Sequence, residues 1–152
     1  MRHSGLAIRD ALTLRRDRLI QNGQRYRVAT VRQKTGTDVS VLLPPDVARE
    51  IWAVAGTEYV FWDGSSDIVK SWTKYVMAPL FQAAKIERGG NMMSHRLRDT
   101  FAVGLLDKGV PMEELSKLLG HKSIKTTENS YAKWVKSRQD RLDNLIQGTW
   151  AP

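Results

Sequence analysis

The sequence predicts an α+β fold, mostly helical with a small antiparallel β-sheet near its start. Two turn signals, Asn22-Gly23 and Thr35-Gly36, separate short β-prone runs in the first third. Beyond Pro45, apolar residues recur at helical spacing almost to the last residue. The chain has 152 residues, 41% of them hydrophobic, which suits one globular domain over 1–152 with a sizeable core.

Leu6, Ile8, Leu12 and Leu14 give a short helix within 5–14. A first hairpin joins Leu19-Ile20 to Tyr26-Arg27-Val28 across Asn22-Gly23, a dipeptide that tolerates the positive φ angles of a tight turn. A second hairpin links 28–33 to the alternating Val39-Ser40-Val41. Pro44-Pro45 ends the sheet and starts a helix through Val47, Ile51, Trp52 and Val54, closed by Gly56. Residues 64–66 loosen into a loop. A long helix over 67–86 follows, with a break expected before Pro79 because proline lacks an N–H and crowds the preceding turn. Gly89-Gly90 should stop it. Ser94 is placed to cap the next helix, which runs through Phe101, Val103, Leu105 and Leu106 to Gly109. Pro111 at a first helical position and Glu113-Glu114 in the first turn open another, ended by Gly120. Helical spacing resumes from Ile124 through Trp134 and Leu142 to Ile146.

Charge narrows the partner. Twenty-four Lys and Arg against 16 Asp and Glu leave a formal +8, which favours a polyanion such as nucleic acid. The absence of Cys rules out disulfides and thiolate metal sites, and His3, His95 and His121 lack metal-ligand spacing, so no metal or cofactor is expected. No run of 18 apolar residues exists, and residues 1–9 lack the apolar stretch of a signal peptide. The expected setting is the cytoplasm, on the nucleoid, without membrane contact.

The informative stretch begins at Ser94-His95-Arg96-Leu97-Arg98-Asp99-Thr100-Phe101. His95 and Arg98 are three residues apart and share a helical face. At a helix N-terminus such a pair adds an imidazole and a guanidinium fork to free backbone N–H groups, which suits a phosphate. Taken alone, such a pair is more often a solvated face or a satisfied core histidine. Leu118-Leu119-Gly120-His121 follows at a fixed distance, then Ser123-Ile124, Thr126-Thr127 and Tyr131. In that order the residues resemble the catalytic domain of the tyrosine recombinases, the phage-integrase family: His-x-x-Arg, a helix pair, Leu-Gly-His, a spacer and a nucleophilic tyrosine. Lys34-Thr35-Gly36 resembles the family's β-hairpin lysine, and Ser4-Gly5-Leu6 opens its first catalytic box, so the likeness covers nearly the whole chain.

The resemblance implies a site-specific recombinase or integrase acting on double-stranded DNA. Tyr131 would attack the scissile phosphate to give a 3′-phosphotyrosine and a free 5′-hydroxyl, conserving bond energy without ATP or metal. Arg98 and His121 would bind the non-bridging oxygens. His95 would help remove the phenolic proton, and Lys34 would protonate the leaving oxygen. Asp10 falls where an acidic residue buttresses the site. The family's DNA-clamping N-terminal domain is expected to be absent, with the chain starting near the first catalytic box.

Two positions depart from the family pattern. Ala7 stands where the first catalytic arginine is usual, which removes one guanidinium clamp. Arg9 lies about 200° around the helix and is a poor substitute, leaving Arg2 or Arg96. Tyr131 also lies ten residues after His121 where nine is common, so Ser130 takes the usual register; the flanking Lys125-Thr126-Thr127-Glu128 and Tyr131-Ala132-Lys133-Trp134 resemble a bacterial integrase subgroup with the later register. The alternatives are a type IB topoisomerase-like relaxing activity and a degenerate recombinase domain that binds DNA or a recombinase partner without cutting. Tyr26, Tyr59 and Tyr75, with Trp52, Phe61, Trp62 and Trp72, read as strand, core or anchoring residues. Arg15-Arg16, Lys122 and Lys125 fit either DNA backbone contacts or a solvated face. Val135, Leu142, Leu145 and Ile146 make the C-terminal stretch amphipathic, for docking on a neighbouring protomer or packing in cis.

Overall fold

In the computed structural model, residues 1–64, 67–87, 93–134 and 136–150 are described, without the side chains of residues 133, 136–138 and 141. The expected Gly89-Gly90 stop, Ser65-Ser66 in the loop and the apolar Val135 lie outside them. The order of elements is α1 (Ile8–Leu12), β1 (Leu19–Asn22), β2 (Arg25–Val31), β3 (Asp38–Leu43), α2 (Pro45–Val54), α3 (Ile68–Trp72), α4 (Ala78–Ala83), α5 (His95–Asp107), α6 (Met112–Leu119), α7 (Ile124–Tyr131) and α8 (Lys136–Gly148). This is the mostly α architecture with one small antiparallel sheet, ordered β1-β2-β3, that the sequence predicts.

Both hairpins form, the first one residue later than expected: Asn22 pairs with Arg25, so the two turn residues are Gly23 and Gln24, with Gly23 at φ 59°. Leu19 pairs with Val28, and Val28 with Val41. In β3 the alternation is complete: Val39, Val41 and Leu43 point into the core while Asp38, Ser40 and Leu42 face out. That inner face packs with Leu6, Leu14, Leu19, Val28, Ala48 and Val60 into one cluster. A second cluster joins Ala102, Leu106, Leu115, Leu119 and Tyr131. Phe101 borders both and ties the sheet half to the helical half.

Pro79 leaves its mark one turn earlier than a break. Between α3 and α4 the chain stays helical, but Thr73–Met77 widens to π-helical hydrogen bonding. Widening relieves the contact between the proline ring and the carbonyl four residues back without ending the helix. The helix then ends at Ala83, short of Ile86, and Lys85 takes a left-handed φ of 52°. Two further details differ. Ser94 occupies the N-cap of α5 with a near-helical backbone, φ −68° and ψ −25°, and its side chain caps nothing. Pro111 is the N-cap of α6 rather than its first residue. After Tyr131 the helix tightens into a 3₁₀ turn, Ala132–Trp134.

Several surface expectations become specific. Arg15 pairs with Glu58 and lies over Tyr59, while Arg16 donates to the carbonyls of Ala55 and Gly56. Both therefore fasten the 3₁₀ turn Arg16–Arg18 to the segment after α2, which occupies them as structural groups. Tyr75 is exposed at 67%, so its core-like placement is corrected: the π-helical widening turns it outward. Leu142, Leu145 and Ile146 remain exposed although α8 packs against α5. No helix among the described residues is long and apolar enough to cross a membrane.

Candidate active site

Arg98 is the centre of the site. It is 1% exposed, in the first turns of α5, which places a guanidinium inside the protein where it must be matched by acceptors. Nη1 donates to the Gly5 carbonyl, and Nη2 donates to the Leu119 carbonyl at 2.8 Å and meets His121 Nε2 at 3.1 Å. One side chain thereby joins the loop before α1, the end of α6 and the turn into α7. Burial, with the charge of Arg32 second, draws its pKa down to about 10, so it remains a cation at neutral pH.

Two glycines let the backbone reach this cation. Gly5 has φ +63°, and a Cβ there would lie 2.5 Å from the Phe101 ring. Gly120 has φ +65°, and a Cβ would meet Val39 at 2.6 Å. Each position thus requires both the left-handed backbone and the absence of a side chain. The Leu-Gly-His stretch is explained residue by residue: Leu119 is fully buried, Gly120 turns the chain out of α6, and His121 is delivered to Arg98.

His121 sits between two partners. Arginine has only donors, so Nε2 facing Arg98 is the acceptor and Nδ1 carries the proton, donated to Thr127 Oγ1 at 2.8 Å. Desolvation, then the charges of Arg98, Arg32 and His95, hold the pKa down to about 4. The imidazole is neutral at neutral pH.

Tyr131 ends α7 with 2% exposure, packed in the second core cluster. Its hydroxyl donates to Asp99 Oδ1 at 2.8 Å. Burial raises its pKa, the Asp99 hydrogen bond and charge raise it further, and nearby Arg98 opposes them. Asp99 also lies 3.6 Å from His95 Nε2 one helical turn earlier. The structure therefore brings Arg98, His121, Tyr131, His95 and Asp99 together. Ser130, in the more usual register, is exposed and donates back to the Thr126 carbonyl at 2.9 Å, facing away from this group.

The sheet closes the other side. Thr35 Oγ1 donates to the Gly120 carbonyl at 3.1 Å, fixing the β2–β3 turn against the His121 segment, and Lys34 projects from that turn into solvent. Asp10, 6% exposed, accepts from the Gln33 N–H at 3.0 Å and lies 3.7 Å from Arg32 Nε. Ala7 precedes α1 as its N-cap. Arg2 and Arg9 are exposed, and the exposed Arg96 lies over the Phe81 ring at 5.6 Å.

Asp99, Thr127 and Arg32 are the participants that sequence reasoning passed over. Asp99 was signalled by its spacing of four from His95 and one from Arg98. Thr127 and Arg32 carry no local signal, since each acts across a fold contact. Among the described residues no cluster of His, Asp or Glu is arranged to hold a metal ion.

Residues 1–138 match the model of the phage integrase family. A tyrosine recombinase XerC-like protein of Caldanaerobacter subterraneus is 46% identical over 52 residues, 34% of this chain and 13% of that protein. A probable integrase/recombinase of Methanocaldococcus jannaschii is 35% identical over 75 residues, 46% of this chain and 23% of that protein. The chain thus aligns with less than a quarter of either curated relative's length. Among solved structures, the XerH site-specific recombinase in a post-cleavage complex with difH superposes with a TM-score of 0.69 at 20% identity, covering 96% of this chain and 43% of that one. The catalytic domain of bacteriophage HP1 integrase gives 0.67 at 20%, covering 91% and 73%. At these identities the superpositions show the fold, that of tyrosine recombinase catalytic domains.

Proposed function

The chain belongs to the phage integrase family, and on that premise we propose that it is a catalytic domain that cleaves and rejoins double-stranded DNA through a 3′-phosphotyrosine. The observation that carries the proposal is the meeting of a buried guanidinium, a neutral histidine and a tyrosine hydroxyl from three separate helical segments. Support also comes from XerH, solved on difH DNA in pre-cleavage and post-cleavage complexes.

The Tyr131 oxygen attacks phosphorus, the bond to the 5′-oxygen breaks, and the nucleotide stays on the enzyme through its 3′-phosphate. Arg98 takes the charge that grows on the non-bridging oxygens, where a fixed buried donor gains most. Once the phosphate displaces its bond with Arg98, His121 takes the other tautomer: Thr127 Oγ1 donates to Nδ1, and the Nε2–H donates to a non-bridging oxygen. The phenolic proton already points at Asp99, and His95 beside it shares the acceptor role. Lys34, free in solvent on the β2–β3 turn, protonates the departing 5′-oxygen. Reversal, with a new 5′-hydroxyl as nucleophile, seals the exchanged strand without an external energy source. Asp10 holds the turn that carries Lys34 through the Gln33 N–H. The exposed apolar side of α8, with Leu142, Leu145 and Ile146, supports self-association on DNA.

Ala7 favours a second reading, a degenerate domain that binds DNA or a recombinase partner without cutting it, because the family's first arginine has no counterpart at this position. A duplex nicked close to the cleavage site separates the two. Under the cleavage reading the wild type gives a covalent protein–DNA adduct that Tyr131→Phe does not; under the binding reading it shifts in a gel and gives no adduct.

A further inference from the structure

Arg32 stands out among the groups that the sequence did not select. It follows β2 at the start of the turn, and its side chain, 12% exposed, folds back over Gly120 instead of extending into solvent. Nη1 donates to the Gly120 carbonyl at 3.3 Å, and the Cδ methylene occupies the space a side chain at Gly120 would need. Among the described residues its carboxylate neighbour is Asp10, which stays at 3.7 Å, beyond hydrogen-bonding distance, and the other Asp10 oxygen is taken by Gln33. Nε is buried without a hydrogen-bond partner.

Two arginines therefore meet on adjacent carbonyls beside His121, Arg98 on that of Leu119 and Arg32 on that of Gly120. The charge of Arg32 depresses both Arg98 and His121, so the guanidiniums are near enough to repel. Asp99, the other carboxylate nearby, is engaged by the Tyr131 hydroxyl. A positive pair with an unused buried donor and one loosely placed carboxylate is poorly satisfied by the protein alone. An anion with several oxygens would relieve the repulsion and occupy the donors that remain.

We infer that Arg32 is a second phosphate-binding guanidinium of this site, reaching from the β2–β3 turn the group that Ala7 cannot contact from α1. The inference rests on the cleavage reading above for its role in the reaction, and on geometry alone for anion binding. Arg32 and Arg98 hold the diester from the sheet side and the helix side, and Asp10 orients Arg32.

Two measurements on the purified chain test it. Calorimetric titration with inorganic phosphate should show binding that weakens at least tenfold in Arg32→Ala and in Arg32→Gln, while Arg49→Ala, at an exposed position of α2, binds as wild type. The glutamine keeps a donor for Gly120 and removes the charge, so it answers the question if the alanine variant does not fold. On the nicked duplex, adduct formation at saturating DNA should slow by roughly 10²-fold in the same variants, with Arg32→Lys between them and wild type. Absence of phosphate binding in the wild type, affinity indifferent to Arg32, or an unchanged adduct rate overturns the inference. Arg32-dependent phosphate binding without any wild-type adduct sustains the anion site and sinks the cleavage reading instead.

Discussion

Asp99→Ala should make the Tyr131 phenol markedly more acidic. In the folded protein the hydroxyl donates a 2.8 Å hydrogen bond to Asp99 Oδ1, and both that bond and the carboxylate charge hold the proton on the phenol. A hydrogen bond to a charged acceptor contributes roughly 1.5–3 kcal/mol. At about 1.4 kcal/mol per pKa unit, its removal lowers the Tyr131 pKa by one to two units. Burial, the largest cause of the raised value, is untouched, so the phenol remains less acidic than a free tyrosine. The assay is phenolate ultraviolet absorbance against pH, with the Tyr131→Phe titration subtracted to remove the other three tyrosines, and circular dichroism confirming that the fold persists. The sign of the linked stability follows. A group that binds its proton more tightly when folded contributes stability below its unfolded pKa, near 10 for tyrosine, and loses it as pH rises beyond that. Asp99→Ala should soften this alkaline loss. A Tyr131 titration superimposable on wild type would refute the reasoning, because it would mean that Asp99 does not govern the phenolic proton.

Acid should act through His121. Its folded pKa of about 4 lies below the ordinary 6.5, so its contribution is complete above 6.5 and is lost as pH falls towards 4; thermal melts should show a loss of up to about 3 kcal/mol across that window, flattened in His121→Gln. Gly120→Ala combines a left-handed backbone, roughly 1–2 kcal/mol against a side chain, with a Cβ 2.6 Å from Val39. Denaturant unfolding should show it destabilised by about 2–4 kcal/mol, against little change in Gly104→Ala, where a Cβ meets nothing within 4 Å. Ser130→Ala should leave adduct formation at the wild-type rate, because the hydroxyl is bonded to its own helix.

What could be read from the sequence was mostly what neighbours along the chain dictate. Gly23 marks a hairpin because few residues accept its φ of 59°, and Val39-Ser40-Val41 alternates because one face of β3 is buried. The spacing of His95, Arg98, Gly120, His121 and Tyr131 pointed to one site, and these residues do converge. Tyr131 and Ser130 differ in setting: the tyrosine ring fills the second core cluster with its hydroxyl on Asp99, whereas Ser130 faces solvent. Arg32 was hidden because its position depends on how a β-turn lands on the end of α6, 88 residues later. Arg15 and Arg16 looked like available basic groups for the same reason: their partners, Glu58 and the carbonyls of Ala55 and Gly56, lie some 40 residues further along the chain. Ser94 has the right identity for a cap, but its near-helical backbone turns the hydroxyl away from the N–H groups it would bind.

The central claim is that Tyr131 carries the DNA. Peptide mass spectrometry of the adduct trapped on a nicked duplex measures this directly, by locating the residue that bears the nucleotide and the end through which it is attached. The account predicts a 3′-phosphoryl nucleotide on Tyr131. Attachment at Ser130, at another tyrosine, or through a 5′-phosphate would contradict it.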